Sequence, residues 1–154
     1  MYRPQFVYLP APADSRDVRC TYSFDGSNTP ALAGTTAAAN AYSTEIPLTL
    51  DQDADFFLRG IQIQETVLLV GLLDPFRNQL VNPLVPGNPP TLLPDLWAST
   101  DGAGLEALES DNWGIYCPRG SSLIAYVQNA TANPVAGPVI TLHGIKRYCG
   151  EQCK

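Results

Sequence analysis

Proline and glycine are spread so densely through this sequence that long helices are excluded. The 154 residues include fourteen Pro and twelve Gly, and few windows of about 12 residues escape both. Proline interrupts a helix because it lacks the backbone N–H and clashes with the preceding turn. Only the Ala-rich segment 31–42 and the short segment 105–110 suggest helix. The chain is therefore expected to consist of strands and turns.

Between these interruptions, apolar and polar residues alternate at the two-residue period of a half-buried strand. Strand patterns occupy 6–9, 18–24, 45–50, 56–64, 113–117, 123–128 and 139–148, and 67–73 is a continuous apolar run. About eight strands separated by Pro- and Gly-rich loops predict an all-β, single-domain β-sandwich or jelly roll. The predicted β-sandwich domain spans 18–148, with an extended N-terminal segment at 1–17 and a tail at 149–154.

The alternation also predicts which residues share a face of a strand. These sets are Val18, Cys20, Tyr22 and Phe24; Ile46, Leu48 and Leu50; Phe57, Arg59, Ile61 and Ile63; and Leu123, Ala125 and Val127. Pro47 places its strand near a sheet edge, since proline cannot donate to a neighbouring strand. The run 67–73 is apolar at both parities, which indicates a strand that is central or covered on both sides.

Charge and hydropathy exclude several partners. The net charge is −6, and the nine basic residues form no cluster longer than Lys146-Arg147, whereas nucleic acid binding needs a basic patch. No stretch approaches the roughly 20 apolar residues of a membrane span. The opening Met1-Tyr2-Arg3-Pro4 does not lead into the apolar core of a secretory signal, so synthesis in a cytosol is expected. The low charged fraction, 16%, suggests that a partner covers part of the surface.

The sequence predicts no catalytic, cofactor or metal site and no small-molecule substrate. His143 is the single histidine, and its neighbours place it in a strand. The four cysteines are expected to be thiols, because cytosolic proteins keep cysteines reduced. They are Cys20, Cys117, Cys149 and Cys153. A terminal disulfide between the last two is the alternative. Cys149 and Cys153 lack the second ligand pair that a zinc site requires.

The acidic segment 51–55 opens with the rhythm of a calcium-binding loop but does not complete it. Phe56 stands where the loop needs glycine, and Gln62 stands where a bidentate glutamate is needed. A solvated acidic turn is therefore expected. Trp97 and Trp113, flanked by Asp95 and Asp111, support an alternative reading as a carbohydrate- or receptor-binding module, although an aromatic that leads into a strand is more often core or interface.

The segment Asp74-Pro75-Phe76-Arg77-Asn78 interrupts two apolar runs. Proline fixes φ at the second position of a turn, and Asp and Asn side chains bond their own backbone. The segment therefore predicts a turn, within a hairpin or between a strand and its return loop. Phe76 and Arg77 are expected to be exposed at its tip, and this pairing of an aromatic with an arginine is typical of protein interfaces.

Five segments in this order resemble small structural proteins of tailed bacteriophages and prophages. They are MYRPQFVY, FFLRGIQIQ, LLDPFRNQLVNPLVP, IYCPRGSSLIAYVQN and LHGIKRY, which together cover most of the chain. The resemblance is strongest to capsid decoration (cement) or minor capsid proteins. This sequence departs from the pattern at Arg77, where the pattern DPYGNxL has glycine, and in the segments PGNPPTLLPD and CGEQCK.

The resemblance implies a virion protein made in the bacterial cytoplasm that binds the outer face of an assembled head. The implied partners are the major capsid protein and copies of the chain itself, with a trimer as one hypothesis because capsid sites carry local symmetry. Segment 1–17 suits an arm that lies over a neighbour; the alternative is an edge strand of its own domain. The candidate interface residues are Tyr2, Arg3, Phe6, Tyr8, Phe76 and Arg77.

Overall fold

The computed structural model describes residues 6–8, 15–32, 35–36, 45–63, 67–80, 97–99, 113–129, 135–136 and 139–149. These residues are all-β, as predicted, apart from one 3-10 turn at Pro30–Leu32. The strands are β1 (Phe6–Tyr8), β2 (Arg16–Phe24), β3 (Thr35–Thr36), β4 (Ile46–Thr49), β5 (Asp55–Ile63), β6 (Val67–Leu73), β7 (Trp97–Ser99), β8 (Trp113–Cys117), β9 (Ser122–Asn129), β10 (Val135–Ala136) and β11 (Ile140–Tyr148). Strands β3, β7 and β10, each of two or three residues, were not predicted.

The larger sheet has the antiparallel order β1-β8-β5-β11-β2, and β7 pairs in parallel with β5. Strand β11 lies inside this sheet, between β5 and β2, with Leu142 opposite Ile61 of β5 on one side and Tyr22 of β2 on the other. Nine consecutive residue pairs join β11 to β2 without a shift in register. The last of the described strands therefore joins β2 to the rest of this sheet.

The smaller sheet has the antiparallel order β4-β9-β6, and β3 pairs with β10 separately. Strand β4 carries Pro47 at an edge, as predicted. The prediction that 67–73 is a central strand is wrong for the described sheet, because β6 is its other terminal strand. Gly71 and Leu73 are half-buried while Leu72 is buried, so the apolar run does not imply full cover on both faces.

One hydrophobic core receives side chains from both sheets. The larger sheet contributes Phe24, Phe56, Leu58, Ile61, Ile115, Cys117, Ile140 and Leu142, and the smaller sheet contributes Ile46, Leu48, Leu72, Leu123, Ala125 and Val127. The predicted inward positions of β4 and β9 are confirmed, since each is at most 2% exposed. In β2 the predicted face is confirmed for Phe24, which is buried, and for Cys20 and Tyr22, which pack against the core. Val18, the fourth residue of the predicted set, is 40% exposed.

The face predicted for β5 is wrong because the strand contains a β-bulge. Gly60 lies opposite His143, but Leu58 lies opposite the next residue, Gly144, so Arg59 is an extra residue in the ladder. An extra residue reverses the alternation beyond it. Leu58 therefore joins Ile61 in the core. Gly144 lets the strands approach at this point, because a Cβ there would overlap the carbonyl oxygen of Phe57.

Residues 6–8 form an edge strand, which is the alternative to an arm that the sequence left open. They form β1, which pairs with β8 at the edge of the chain's own sheet, with Phe6 opposite Ile115 and Tyr8 opposite Trp113. Residues 1–5 and 9–14 lie outside the described residues, so the predicted arm is not described as a whole. In the Ala-rich segment 31–42, the described residues form the end of the 3-10 turn and strand β3.

Candidate interaction surface at the Asp74 turn

A buried carboxylate fixes the turn that follows β6. Asp74 is 1% exposed, and its Oδ1 accepts hydrogen bonds from the backbone N–H groups of Phe76 and Asn78 at 2.9 and 2.8 Å. Its Oδ2 accepts a third from Asn78 Nδ2 at 2.9 Å. The backbone adds a bond from Arg77 N–H to Asp74 O at 2.9 Å. The predicted bonding of the Asp74 side chain to the backbone of the turn is thus confirmed, whereas the Asn78 side chain donates to the Asp74 carboxylate instead.

The chain returns directly after this turn. Leu73 and Gln79 form an isolated antiparallel bridge, and Leu80 donates its N–H to Leu72 O at 2.7 Å. Leu80 is completely buried. Of the two predicted forms, the described residues therefore show a strand with a return segment that is anchored in the core.

The tip of the turn exposes the two predicted residues. Phe76 is 44% exposed, more than any other large apolar side chain whose burial the structure describes, and the Arg77 side chain is 67% exposed. Arg77 has φ of 65°, the left-handed conformation that glycine adopts most easily. The departure from the DPYGNxL pattern thus falls at the position where the backbone favours glycine.

Residues from three other strands or their flanks complete this surface. Arg77 Nη1 lies 3.6 Å from Glu45 Oε1, and the Tyr126 hydroxyl of β9 donates to the same carboxylate at 2.9 Å. The ring of Tyr116 in β8 stacks on Phe76 with centroids 6.3 Å apart. We name Glu45, Phe76, Arg77, Tyr116 and Tyr126 the tip surface. It joins the end of the smaller sheet to β8 of the larger one.

Behind the tip surface, ring and cation contacts continue across the larger sheet. Tyr116 packs on Phe57 with centroids 5.6 Å apart, and the Arg147 guanidinium lies 4.9 Å from the Phe57 centroid. Arg147 in turn donates to both carboxylate oxygens of Asp17, at 2.8 and 2.9 Å. Phe76 is therefore the exposed end of a packed row and not an isolated side chain.

The remaining candidate residues are only partly described. Tyr2 and Arg3 lie outside the described residues, and for Phe6 and Tyr8 the structure gives the backbone of β1. That backbone pairs with β8, the strand that carries Tyr116 of the tip surface. The structure thus brings β1 and the tip surface to the same strand. Sequence reasoning missed Tyr116, although it alternates with the buried Ile115 and Cys117, which marks it as outward-facing.

The acidic segment 51–55 is occupied by cations of the chain itself. Lys146 Nζ donates to Asp51 Oδ2 at 2.7 Å and to Asp53 Oδ1 at 3.0 Å, and Arg119 Nε donates to Asp55 Oδ1 at 3.3 Å. Burial by itself lowers the pKa of Lys146, but the hydrogen bonds to Asp51 and Asp53 outweigh it and raise the pKa above its ordinary value. The same bond from Lys146 lowers the pKa of Asp53. These carboxylates therefore serve as internal ion-pair partners.

His143 and the cysteines have structural surroundings. His143 lies in β11, as predicted, between Thr21 Oγ1 at 3.3 Å and Gln62 Oε1 at 3.1 Å, and burial lowers its pKa. Cys20 and Cys117 are free thiols, and burial raises the pKa of both, which disfavours the reactive thiolate. Nowhere in the described part of the chain do three or more His, Cys, Asp or Glu residues converge as metal ligands would.

A cleft of about 320 Å³ opens between the edge strands β2 and β4, beside Tyr22 and Pro47. Its polar side chains are already engaged within the chain. Asn28 accepts from Asp25 N–H and donates to Ser23 O, and Asp51 binds Lys146. The cleft therefore presents few groups that could orient a small molecule. In the described ranges, no helix has the length and apolar character needed to cross a membrane.

Comparisons of this chain with protein-family models, with curated proteins and with solved structures find no match. The functional argument therefore rests on the residues and their geometry.

Proposed function

We propose that this protein is a non-enzymatic structural protein of a tailed-phage virion, which binds the assembled head and stabilises it as a decoration or minor capsid protein. In this proposal the two sheets form a single β-sandwich around their common core. The protein is made in the bacterial cytoplasm and ends on the capsid surface. Its partners are the major capsid protein and further copies of itself.

The observation that carries the proposal is the construction of the tip surface. The buried Asp74 carboxylate holds Phe76 outward although no core packing requires an exposed ring there. An exposed aromatic beside an arginine, on a backbone that is already ordered, is the composition of an interface hot spot. Little conformational entropy would be lost when such a surface meets a partner.

The polar groups considered for chemistry support the same proposal. Lys146, Arg147 and Arg119 are bound to carboxylates of the chain, and His143 bridges neighbouring strands. A decoration protein requires no active site. It acts by adding buried interface between capsid subunits, so that its binding free energy becomes stability of the shell.

The proposal is tested on particles from the phage or prophage that encodes this chain. Particles made without the gene should release DNA at a lower temperature, and purified protein added back should restore the wild-type temperature. Cryo-electron microscopy should then show many regularly placed copies on the head. Phe76→Ala should bind at least about tenfold more weakly, as a hot-spot truncation does, while a conservative Val139→Ala change at another exposed apolar residue should bind normally.

Two results would contradict this function. A few copies located at the tail, together with glycan binding that Trp97→Ala or Trp113→Ala abolishes, would favour the receptor-binding alternative. Absence of the protein from purified particles, with no effect of the deletion on their stability, would exclude a virion role.

A further inference from the structure

Arg77 is the only non-glycine residue with positive φ in the described part of the chain. For an arginine this conformation brings Cβ close to the following carbonyl oxygen, a cost that glycine avoids. Strained positions persist where the rest of the structure enforces them, and they occur often at functional sites. We therefore look for an interaction of the Arg77 side chain that would offset this cost.

The contact that the structure gives Arg77 within the chain does not offset this cost. Its Nη1 lies 3.6 Å from Glu45 Oε1, and the two side chains are 67% and 52% exposed. An ion pair between such exposed groups is screened by water and contributes little. Glu45 also keeps a stronger partner in Tyr126, whose hydroxyl donates to it at 2.9 Å. A buried interface would strengthen the Arg77 interaction, because exclusion of water lowers the local dielectric.

The charges of the tip surface determine which partner fits. An acidic partner attracted by Arg77 would meet Glu45 a few ångströms away, and a basic partner would meet Arg77. The tip surface carries one charge of each sign beside an aromatic ring. Among these partners, a second copy related by a two-fold axis fits its charges best, because each arginine then faces the partner's glutamate. The net charge of −6 opposes contact between copies elsewhere, and this neutral pair avoids that repulsion.

We propose that the tip surface joins two copies of this chain in an isologous contact, with Arg77 of each copy paired to Glu45 of the other and the Phe76 and Tyr116 rings packed between them. Burial of the two ion pairs among these rings supplies the interaction that the left-handed arginine lacks within one chain. The proposal deepens the proposed function, on which it rests for its biological purpose, because it assigns self-association to a defined surface.

Charge exchange between copies provides the decisive experiment. Arg77→Glu puts like charges opposite each other in a pair of identical copies, and so does Glu45→Arg. Sedimentation velocity of each purified variant should show association weakened at least about tenfold relative to the wild type. An equimolar mixture of the two variants should regain association, because opposite charges then face each other at both contacts of the mixed pair. A contact within one chain cannot be restored by mixing.

Arg77→Gly distinguishes the role of the Arg77 side chain in association from the backbone strain at this position. It should weaken association to a similar degree and yet raise Tm by about 2–4 °C, because glycine relieves the positive φ. Arg16→Ala removes the same charge from an exposed position of β2 and should leave association unchanged.

A wild-type chain that stays monomeric up to about 1 mM, or a mixture of variants that fails to regain association, would overturn the proposal. Neither result depends on virus particles. A monomeric protein that still stabilises particles would refute this contact alone, and an associating protein absent from particles would refute the proposed function alone.

Discussion

Removal of the Asp74 carboxylate should be among the most damaging single changes in this protein. Asp74→Ala removes the acceptor of three hydrogen bonds, two from backbone N–H groups and one from Asn78 Nδ2. Asp74 and Asn78 are 1% and 4% exposed, so water replaces the lost acceptor poorly. Each unsatisfied buried donor costs roughly 1–3 kcal/mol. Since neighbouring losses are not additive, we expect a total destabilisation of about 3 kcal/mol.

Asp74→Asn should cost much less, about 1 kcal/mol. The new amide oxygen can keep both backbone N–H bonds, although as a neutral acceptor. Its NH2 group would face Asn78 Nδ2, but Asn78 Oδ1 is buried and accepts no hydrogen bond among the described residues. Rotation of the Asn78 amide by half a turn would bring that oxygen into contact with the new donor. Asn78 Oδ1 could thus accept a hydrogen bond from the new amide of Asp74→Asn, in place of the one that the substitution removes.

Guanidinium unfolding monitored by circular dichroism measures both variants, with Asn78→Ala and the double variant Asp74→Ala/Asn78→Ala completing a double-mutant cycle. The expected difference of about 2 kcal/mol between alanine and asparagine corresponds to roughly 4–8 °C in Tm. Equal destabilisation by the two substitutions, or a loss below about 1 kcal/mol for alanine, would refute the assignment of the turn's rigidity to this carboxylate.

Three further predictions address the larger sheet. Gly144→Ala should prevent native folding or destabilise the protein by at least about 3 kcal/mol, because the new Cβ would overlap the Phe57 carbonyl oxygen. As a control, Gly71→Ala would place its Cβ 3.0 Å from a movable ring carbon of Tyr126. Thermal unfolding should show a far smaller loss of stability for this control. Lys146→Met should destabilise the protein by about 1–2 kcal/mol in denaturant titrations. The expected loss is this small because the carboxylate partners of Lys146 are 61% and 48% exposed and can be hydrated once the lysine is gone. No measurable loss would contradict a stabilising role of the ion pairs. Burial lowers the pKa of His143 below its ordinary 6.5, so the unfolded chain binds a proton at this residue more readily than the folded chain. The free energy of unfolding should therefore fall as pH drops below about 6.5. His143→Gln should flatten this part of the dependence of stability on pH, and identical profiles for the wild type and the variant would disprove the prediction.

Local patterns predicted the parts of the fold in which nothing interrupts the alternation. The inward faces of β4 and β9 follow from side chains that alternate across a strand, and the turn at Asp74 follows from Pro75 and Asn78. In both cases neighbouring residues in the sequence determine the conformation. The left-handed position of Arg77 was indicated only by the resemblance, whose pattern DPYGNxL has glycine there.

The sequence could not show features that depend on distant partners. The bulge at Arg59 reverses the face of β5, yet it is defined by the register against β11. The edge position of β6 depends on which strands pair with β9. Asp51 and Asp53 are exposed to solvent, as expected, at 61% and 48%. Their pairing with Lys146, more than ninety residues away, could not be predicted. Tyr116 entered the tip surface because the turn after β6 brings Phe76 against β8.

The position of β11 between β5 and β2 has a consequence for how the chain acquires its structure. This strand lies between β5 and β2 and is the last of the described strands. His143 follows its neighbour Gln62 of β5 by 81 residues and its neighbour Thr21 of β2 by 122. While the ribosome is still synthesising residues 140–148, β2 and β5 have no strand to join them. The larger sheet is therefore completed only after synthesis of β11, and pairings this distant in sequence fold slowly. A ribosome that stops before residue 140 would release a chain in which β2 lacks its partner strand and the edge of β5 that faces β11 is exposed.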